Sequence, residues 1–323
     1  MRRYLWPLVA LVLIIAYPLV FTTPFQQRLG ALVLLYAIAA SAWNIVGGYA
    51  GQVSVGHVVF FGCGAYAHFA LSPLVGIPAG ILFSVLIAAV IGVPTLRLSG
   101  HYFSMATIAV AELARLIVTN IEYLGGAVGL SGPTVPRNIF DLSFISALPF
   151  YYLFLTVLII TLGITWWMTN SRMGFYLRAI KDSERAARSL GAPASRTKLY
   201  AYMLSAGLTS VAGALYAMMF GFVDPESGLG ILISVKMLIM AALGGAGLLF
   251  GPLVGAAILV PLEEISNNLL GGKGAGLTFV AYGAIIVLIA RFQPGGILAL
   301  INRLLARRTA PDKSAAAGAS NAP

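Results

Sequence analysis

Long apolar runs separated by short polar segments dominate this sequence. A helix of about 20 apolar residues spans the hydrocarbon core of a bilayer. The runs fall near residues 5–22, 29–46, 53–72, 78–95, 102–119, 151–169, 199–220, 235–250, 252–266 and 277–293. The sequence therefore predicts an all-α polytopic membrane protein with about ten transmembrane helices, some of them broken or re-entrant.

The scarcity of charge supports this prediction. Only 9% of the 323 residues are charged and 59% are hydrophobic, whereas roughly a quarter of the residues of a soluble domain are charged. The net charge of +10 is expected to reflect Lys and Arg gathered in cytoplasmic loops, with no nucleic acid as partner. The N-terminal run lacks the small-residue cleavage site of a signal peptide, so we interpret it as a retained first span.

The segment 170–198 is the strongest indicator of orientation. Its acidic residues are only Asp182 and Glu184. Its cations are Arg172, Arg178, Lys181, Arg185, Arg188, Arg196 and Lys198. Such a loop is typical of the cytoplasmic side, and counting spans outward from it places both termini inside. We therefore predict a transmembrane domain over residues 1–308, a cytoplasmic loop at about 170–198, and a disordered cytoplasmic tail over 309–323.

Two glycine-rich segments interrupt the predicted helices. Residues 47–57 read GGYAGQVSVGH and residues 244–252 read GGAGLLFGP. Backbone groups freed at such breaks need partners from neighbouring helices or a water-lined cavity. The breaks mark either a substrate pathway or tight packing through small residues. Polar side chains favour the pathway interpretation at the first break, where Asn44, Gln52 and Ser54 are candidate pathway residues.

Carboxylates inside a span are costly and therefore informative. Glu112 lies near the middle of the fifth run, and Arg115 follows three residues later on the same helix face. The two residues form either a polar lining of the pathway or a structural ion pair that locks two helices. Glu263 and Glu264 stand near the end of a run, and we expect both at the membrane interface.

The sequence shows no constellation typical of a soluble enzyme. His57, His68 and His101 are scattered without metal-ligand spacing, and Cys63 is the single cysteine. Residues 267–274, NNLLGGKG, lack the first glycine and the Ser/Thr of a Walker A loop. We therefore predict no enzyme activity, no metal and no cofactor. If transport is driven by ATP, another subunit must hydrolyse it.

The basic loop also contains a predicted short helix. Residues 183–190 form a helix-favouring run, Gly191 provides a stop, and Pro193 follows it. A small apolar face lies beside the charges; its members are Ala186, Ala187 and Leu190. Such a helix suits docking into the groove of a partner protein. The alternative is a solvated loop whose cations fix the topology and touch anionic lipid.

At this loop the sequence resembles a known family. Ala186, Ala187 and Gly191 match the core of the EAA loop of ABC-importer permeases, although Arg185 stands where that motif has a glutamate. Four blocks are similar to the M-type (LivM-type) permeases of branched-chain amino acid importers: residues 43–66, 98–113, 178–217 and 235–258. The resemblance extends over most of the chain, from Trp43 to Pro294.

This resemblance implies a permease subunit of an ATP-driven importer of leucine, isoleucine or valine in the bacterial inner membrane. The implied partners are two ATP-binding cassette ATPase subunits, a sister permease in a heterodimer and a periplasmic substrate-binding protein. The residues implied to couple the chain to the ATPase are Glu184, Ala186, Ala187, Leu190 and Gly191.

Two alternatives remain open at this point. Permeases of urea and short-chain amide importers resemble the same group. A single-chain secondary transporter would also have about ten spans and broken helices. It would need several polar or acidic groups in an intramembrane ion site, for which Glu112 is the one serious candidate in the sequence.

Overall fold

A computed structural model describes residues 14–71, 73–98, 100–132, 146–269, 283–284 and 295–298. The described chain is mainly helical, and six of its helices are long and apolar enough to cross a membrane. The prediction of an all-α polytopic membrane protein is therefore confirmed.

We number the described helices in chain order. They are α1 (Pro24–Asn44), α2 (His57–Ala70), α3 (Pro73–Thr95), α4 (His101–Thr119), α5 (Ala147–Asn170), α6 (Arg172–Asp182), α7 (Glu184–Ser189), α8 (Ala194–Phe220), α9 (Pro225–Leu229), α10 (Ile231–Gly244) and α11 (Gly251–Leu269). A π-helix (Ile45–Tyr49) continues α1, and a 3₁₀ turn (Glu122–Leu124) follows α4. The short strands β1 (Leu130–Ser131) and β2 (Phe222–Val223) pair antiparallel.

Most predicted spans coincide with helices. The eight runs from 29–46 to 252–266 overlap α1–α5, α8, α10 and α11, in that order. Of the first run, residues 14–20 are helical, and its earlier part lies outside the described residues. The run at 277–293 lies almost wholly outside them, and the predicted tail at 309–323 entirely so. The division of the chain at residue 308 therefore stays a prediction.

Helix α1 is the buried centre of the bundle. Its residues Ala31, Leu35 and Ile38 are fully buried, and the core around them draws side chains from α5, α8, α10 and α11. Helices that surround α1 can face lipid with their outer sides. Helix α4 does so, because it exposes Tyr102 and Met105 as large apolar side chains.

Glycines allow a close crossing of α2 and α8. A side chain at Gly64 of α2 would overlap the backbone of Ser210, and one at Gly213 of α8 would overlap the backbone of Phe61. Helices α2 and α8 therefore touch through their backbones, the contact that small residues permit in membrane proteins. This crossing fixes the start of α2, and with it the first predicted break, against the centre of the bundle.

Candidate functional site

The first predicted break is present between α1 and α2. The π-helix leads into residues 50–56, which form no regular helix before α2 begins at His57. Short π-helical turns inside or beside α-helices are frequent at functional sites. The Gln52 backbone N–H donates to the Val46 carbonyl oxygen (3.0 Å), and the Trp43 indole N–H donates to the Ser54 carbonyl oxygen (2.7 Å).

Neighbouring helices satisfy other backbone groups freed at this break. Helix α4 contributes two hydroxyl groups and α10 contributes one. The contacts are Ser104 Oγ donating to the Val53 carbonyl oxygen (2.6 Å), the Val55 amide donating to Thr107 Oγ1 (3.1 Å), and the Val58 amide donating to Ser234 Oγ (2.7 Å). Since lipid offers no such partners, these side chains hold the break in a defined conformation.

A buried histidine supports the start of α2. His57 Nε2 lies 2.8 Å from Ser205 Oγ, and that hydroxyl donates its hydrogen to the Ala42 carbonyl oxygen (2.6 Å). Because the hydroxyl hydrogen is already used, Nε2 must carry the proton and donate to Ser205. His57 therefore links α2 to α1 and α8 as a structural group.

The second break meets the first at Asn44. The Asn44 side chain donates to the Leu248 carbonyl oxygen (3.1 Å) and accepts from the Gly247 amide (2.8 Å). Asn44 is buried, and a side chain at Gly48 would overlap both the Asn44 amide oxygen and the Gly247 nitrogen. Segments about 200 residues apart in the sequence thus form one contact, which we call the inner junction (residues 44–56 and 245–250).

The basic loop reaches this junction directly. Lys181, in the last turn of α6, donates from Nζ to the Gly48 carbonyl oxygen (2.7 Å). The Gly48 carbonyl belongs to the π-helix, so one lysine joins the loop to the first break. The inner junction therefore lies at the end of the bundle that carries the basic loop.

The predicted short helix of the basic loop is confirmed as α7. The Ser183 hydroxyl accepts from the Ala186 amide (3.4 Å) as an N-cap. The chain leaves the helix through Gly191, whose φ of +84° favours glycine. The helix-favouring run and the glycine stop that predicted this helix are both present, and the Ser183 cap is an addition from the structure.

Glu184 anchors α7 to the bundle. Lys198, which is 2% exposed, donates to both Glu184 carboxylate oxygens (3.0 Å each) and to the Leu96 carbonyl oxygen (3.1 Å). Burial would raise the pKa of the Glu184 carboxyl, but the hydrogen bond and charge of Lys198, with Arg188 on the same helix, outweigh burial and lower this pKa. The ionised carboxylate thus ties α7 to α3 and α8.

The five residues predicted to contact an ATPase divide into two groups. Glu184 faces Lys198, and Ala187 is buried against Ile180 and Ala194, so both position the helix from its inner side. The three exposed residues are Ala186, Leu190 and Gly191. Leu190 is 89% exposed, and a fully solvated leucine next to two small residues suits a partner's apolar groove.

The structure does not bring Glu112 to the inner junction. Its carboxylate accepts two hydrogen bonds from Arg115 (2.5 and 3.1 Å), and Arg115 also lies 3.7 Å from Glu226 of α9. Glu112 stands five residues beyond Thr107, about 7.5 Å farther along α4, and its side chain is 41% exposed. This geometry favours the structural pair, with Arg115 linking α4 to α9.

An ion pair between α10 and α11 was not anticipated from the sequence. Lys236 of α10 pairs with Glu263 of α11, and its ammonium lies 5.6 Å from the centre of the Tyr36 ring. The Glu263 side chain is only 15% exposed, and its expected position at the membrane interface stays a prediction. A lone lysine inside the apolar run 235–250 was the signal that could have indicated the pair.

Two cavities lie elsewhere in the described structure. One of about 670 Å³ is apolar and lies between α2, α3 and α4; the other, of about 250 Å³, lies at the ends of α1, α8 and α11. None of the predicted pathway residues Asn44, Gln52, Ser54 and Glu112 lines either cavity. Among the described residues no group of three or more His, Cys, Asp or Glu could hold a metal ion.

Comparison with known proteins identifies the family. A family model described as "Branched-chain amino acid transport system / permease component" matches residues 28–301. The high-affinity branched-chain amino acid transport system permease protein LivM of Escherichia coli K12 is 27% identical, over 92% of this chain and 75% of its own. The corresponding BraD of Pseudomonas aeruginosa is 25% identical, over 81% of this chain and 91% of its own.

A further relative has another named substrate. The autoinducer 2 import system permease protein LsrC of Enterobacter sp. strain 638 is 27% identical, over 66% of this chain and 63% of its own. No solved structure matches the chain significantly. The relatives are all named permeases, which confirms the prediction that the chain is not an enzyme. The chain belongs to the family of permease components of branched-chain amino acid transport systems.

Proposed function

We propose that this chain is a membrane-spanning permease subunit of an ATP-driven importer of branched-chain amino acids. The observation that carries the proposal is α7, a short helix anchored to the bundle on one side and exposing Ala186, Leu190 and Gly191 on the other. The family match over residues 28–301 supports the same conclusion.

The proposed assembly contains a sister permease, two ATP-binding cassette ATPase subunits and a periplasmic substrate-binding protein. In this assembly α7 enters a groove of one ATPase and acts as the coupling helix. ATPase closure moves α7 and α6 together, because the two helices are consecutive. Lys181 then carries the movement to the Gly48 carbonyl and so to the inner junction, which serves as the cytoplasmic gate.

The proposed location is the bacterial inner membrane with both termini in the cytoplasm. Cys63 is the single cysteine, so a Cys63→Ser background allows single cysteines to be labelled. Tyr123, in the turn after α4, is 80% exposed. A cysteine at Tyr123 should react with an impermeant thiol reagent in intact cells, and one at Ser183 only after lysis. The reverse pattern would overturn the orientation.

The coupling role is tested by altering the exposed face of α7. Ala186→Trp and Leu190→Asp should leave the abundance of the chain unchanged, because neither side chain is buried. Both should weaken co-purification of the ATPase and abolish leucine uptake. Ser195→Trp, an exposed position in the first turn of α8, is the matched control. Normal ATPase retention in both α7 variants would contradict the proposal.

The substrate is tested in vesicles that contain the complete importer. Uptake of labelled leucine, isoleucine or valine should require both ATP and the binding protein. ATP-dependent uptake of urea or a short-chain amide in their place would move the chain to that related group of importers. Uptake by this chain alone, driven by an ion gradient, would indicate a secondary transporter.

A further inference from the structure

The 250 Å³ cavity lies at the end of the bundle opposite the basic loop. Its lining residues are Phe25, Arg28, Leu29, Leu32, Phe220 and Glu264. They come from the first turns of α1, the last residue of α8 and the last turns of α11. In the proposed orientation this cavity, which we call the outer pocket, faces the periplasm.

The outer pocket holds one cation and one carboxylate that are not used in an ion pair. Among the described residues neither Arg28 nor Glu264 forms a salt bridge, and the Arg28 guanidinium lies 5.4 Å from the centre of the Phe220 ring. The neighbouring Glu263 is already occupied by Lys236. Two consecutive carboxylates of α11 thus have different roles: Glu263 is neutralised within the bundle, and Glu264 lines the pocket.

The remaining walls are apolar. Leu32 is buried, Leu29 is half-buried, and Phe25 and Phe220 close the rim. The volume lies below the roughly 300–1,000 Å³ of typical drug-sized sites, so the pocket accepts only a small molecule. Opposite charges beside a compact apolar wall complement a zwitterion with a short apolar side chain. A neutral urea or amide can hydrogen-bond to these groups but carries no charge to pair with either of them.

We propose that the outer pocket is an entry site for an apolar α-amino acid, with Arg28 binding the carboxylate and Glu264 the ammonium group. This inference rests on the proposed import of branched-chain amino acids and names the residues that would receive the substrate on the outer side. An arginine fork matches a carboxylate in two parallel hydrogen bonds, and Glu264 supplies the acceptor for the ammonium.

Cysteine protection tests the site directly. The assay uses the complete importer with a Cys63→Ser background. In this background Phe25→Cys places a thiol at the pocket rim. An impermeant maleimide should label it several-fold more slowly in the presence of excess leucine. Urea should give no protection, nor should 4-methylpentanoate, which lacks the amino group, or 3-methylbutylamine, which lacks the carboxylate. A cysteine at Val128, which is 80% exposed on the same side of the bundle, is the control that leucine should not protect.

The charged residues are tested in the same assay. Arg28→Gln and Glu264→Gln should each abolish protection by leucine, whereas Arg28→Lys should retain part of it. Glu122→Gln, which removes an exposed carboxylate of the 3₁₀ turn outside the pocket, should leave protection intact. Protection that survives both glutamine variants would overturn the assignment of Arg28 and Glu264.

Leucine uptake by the same importer separates this inference from the proposed function. Normal ATP-dependent leucine uptake with no protection at the Phe25→Cys position would overturn the outer pocket and leave the transport function standing. Uptake of urea instead of leucine, without protection by leucine, would overturn both the outer pocket as an entry site and the proposed import of branched-chain amino acids.

Discussion

The two ends of the bundle use their polar residues differently. At the inner end, side chains bind backbone groups: Lys181 holds the Gly48 carbonyl oxygen, and Asn44 holds Gly247 and Leu248. Toward the outer end, Glu112 and Arg115 pair with each other, and their side chains are 41% and 29% exposed. The inner contacts fix the backbone positions of Gly48, Gly247 and Leu248. The Glu112–Arg115 pair joins two side chains and fixes no backbone position.

This difference has a physical consequence for the two ends. A buried backbone group that loses its partner has no water to replace it, so the inner junction tolerates few intermediate arrangements. The Glu112–Arg115 pair, by contrast, binds no backbone group among the described residues, so opening it leaves none of them without a partner. We therefore expect substitutions at the inner end to disturb stability and coupling, and substitution of Glu112 to disturb stability little.

The largest effect is expected for Lys198→Met. This change leaves the Leu96 carbonyl oxygen without its lysine donor and the Glu184 carboxylate with Arg188 of its own helix alone, so the link from α7 to α8 is lost. Removing one member of a largely buried pair should destabilise the protein by roughly 3 kcal/mol. Thermal unfolding in detergent measures the loss. Lys198→Met combined with Glu184→Gln should lose less than Lys198→Met alone, and an equal loss would show that the carboxylate contributes nothing.

The same pair predicts a dependence on pH. Because the folded-state pKa of Glu184 is lowered, its stabilising contribution is present above the ordinary glutamate pKa and is lost as the pH falls through the folded-state pKa. The melting temperatures of the wild type and of Glu184→Gln should therefore differ at neutral pH and converge in acid. A difference that widened on acidification would contradict the assigned ion pair.

Asn44→Ala is expected to have the next largest effect. It leaves the Gly247 amide and the Leu248 carbonyl oxygen without a side-chain partner at a buried site. The cost should be about 2 kcal/mol, and it should appear locally. Hydrogen exchange over residues 245–250 should accelerate, whereas exchange in α4 should not change. Uniform acceleration throughout the bundle would mean that Asn44 supports the whole fold and not the inner junction.

Lys181→Met distinguishes coupling from stability. Lys181 is exposed and makes a single hydrogen bond to the junction, so its loss should cost about 1 kcal/mol or less. ATP hydrolysis should continue, but leucine uptake per ATP hydrolysed should fall several-fold, because α6 no longer moves the π-helix. Lys181→Arg keeps a donor and is the matched control. Unchanged coupling in Lys181→Met would remove this residue from the proposed path of movement.

Local features of this fold could be predicted from the sequence. The apolar runs located eight of the described helices, and the helix-favouring run 183–190 with the Gly191 stop located α7, because these signals act within a few residues. The partners across the bundle could not be predicted in this way. Asn44 and Gly247 are 203 residues apart, and Lys181 and Gly48 are 133 apart. Such pairings depend on how the helices pack, which no local pattern encodes.

Glu184 shows the same limit within a recognised motif. The resemblance to the EAA loop indicated which residues belong to the proposed coupling helix α7 but not which side of the helix each one occupies. Glu184 faces the bundle because it pairs with Lys198, which lies fourteen residues later in the chain. Lys198 also donates to the Leu96 carbonyl oxygen after α3. A residue placed correctly in a motif can therefore serve the scaffold and not the partner.

The smallest effect is expected at the outer end, for Glu112→Gln. The glutamine can still accept a hydrogen bond from Arg115, and Arg115 retains Glu226 nearby, so abundance should stay close to that of the wild type. Leucine uptake should also be normal, because Glu112 lies apart from the inner junction and lines neither cavity. Arg115→Gln should lower abundance more, since Arg115 is the residue that joins α4 to α9. Exchanging the two residues should restore part of that loss if the pair itself is structural. A well-expressed Glu112→Gln variant that transports poorly would instead place this carboxylate on the pathway, and the outer end would then share the functional sensitivity of the inner one.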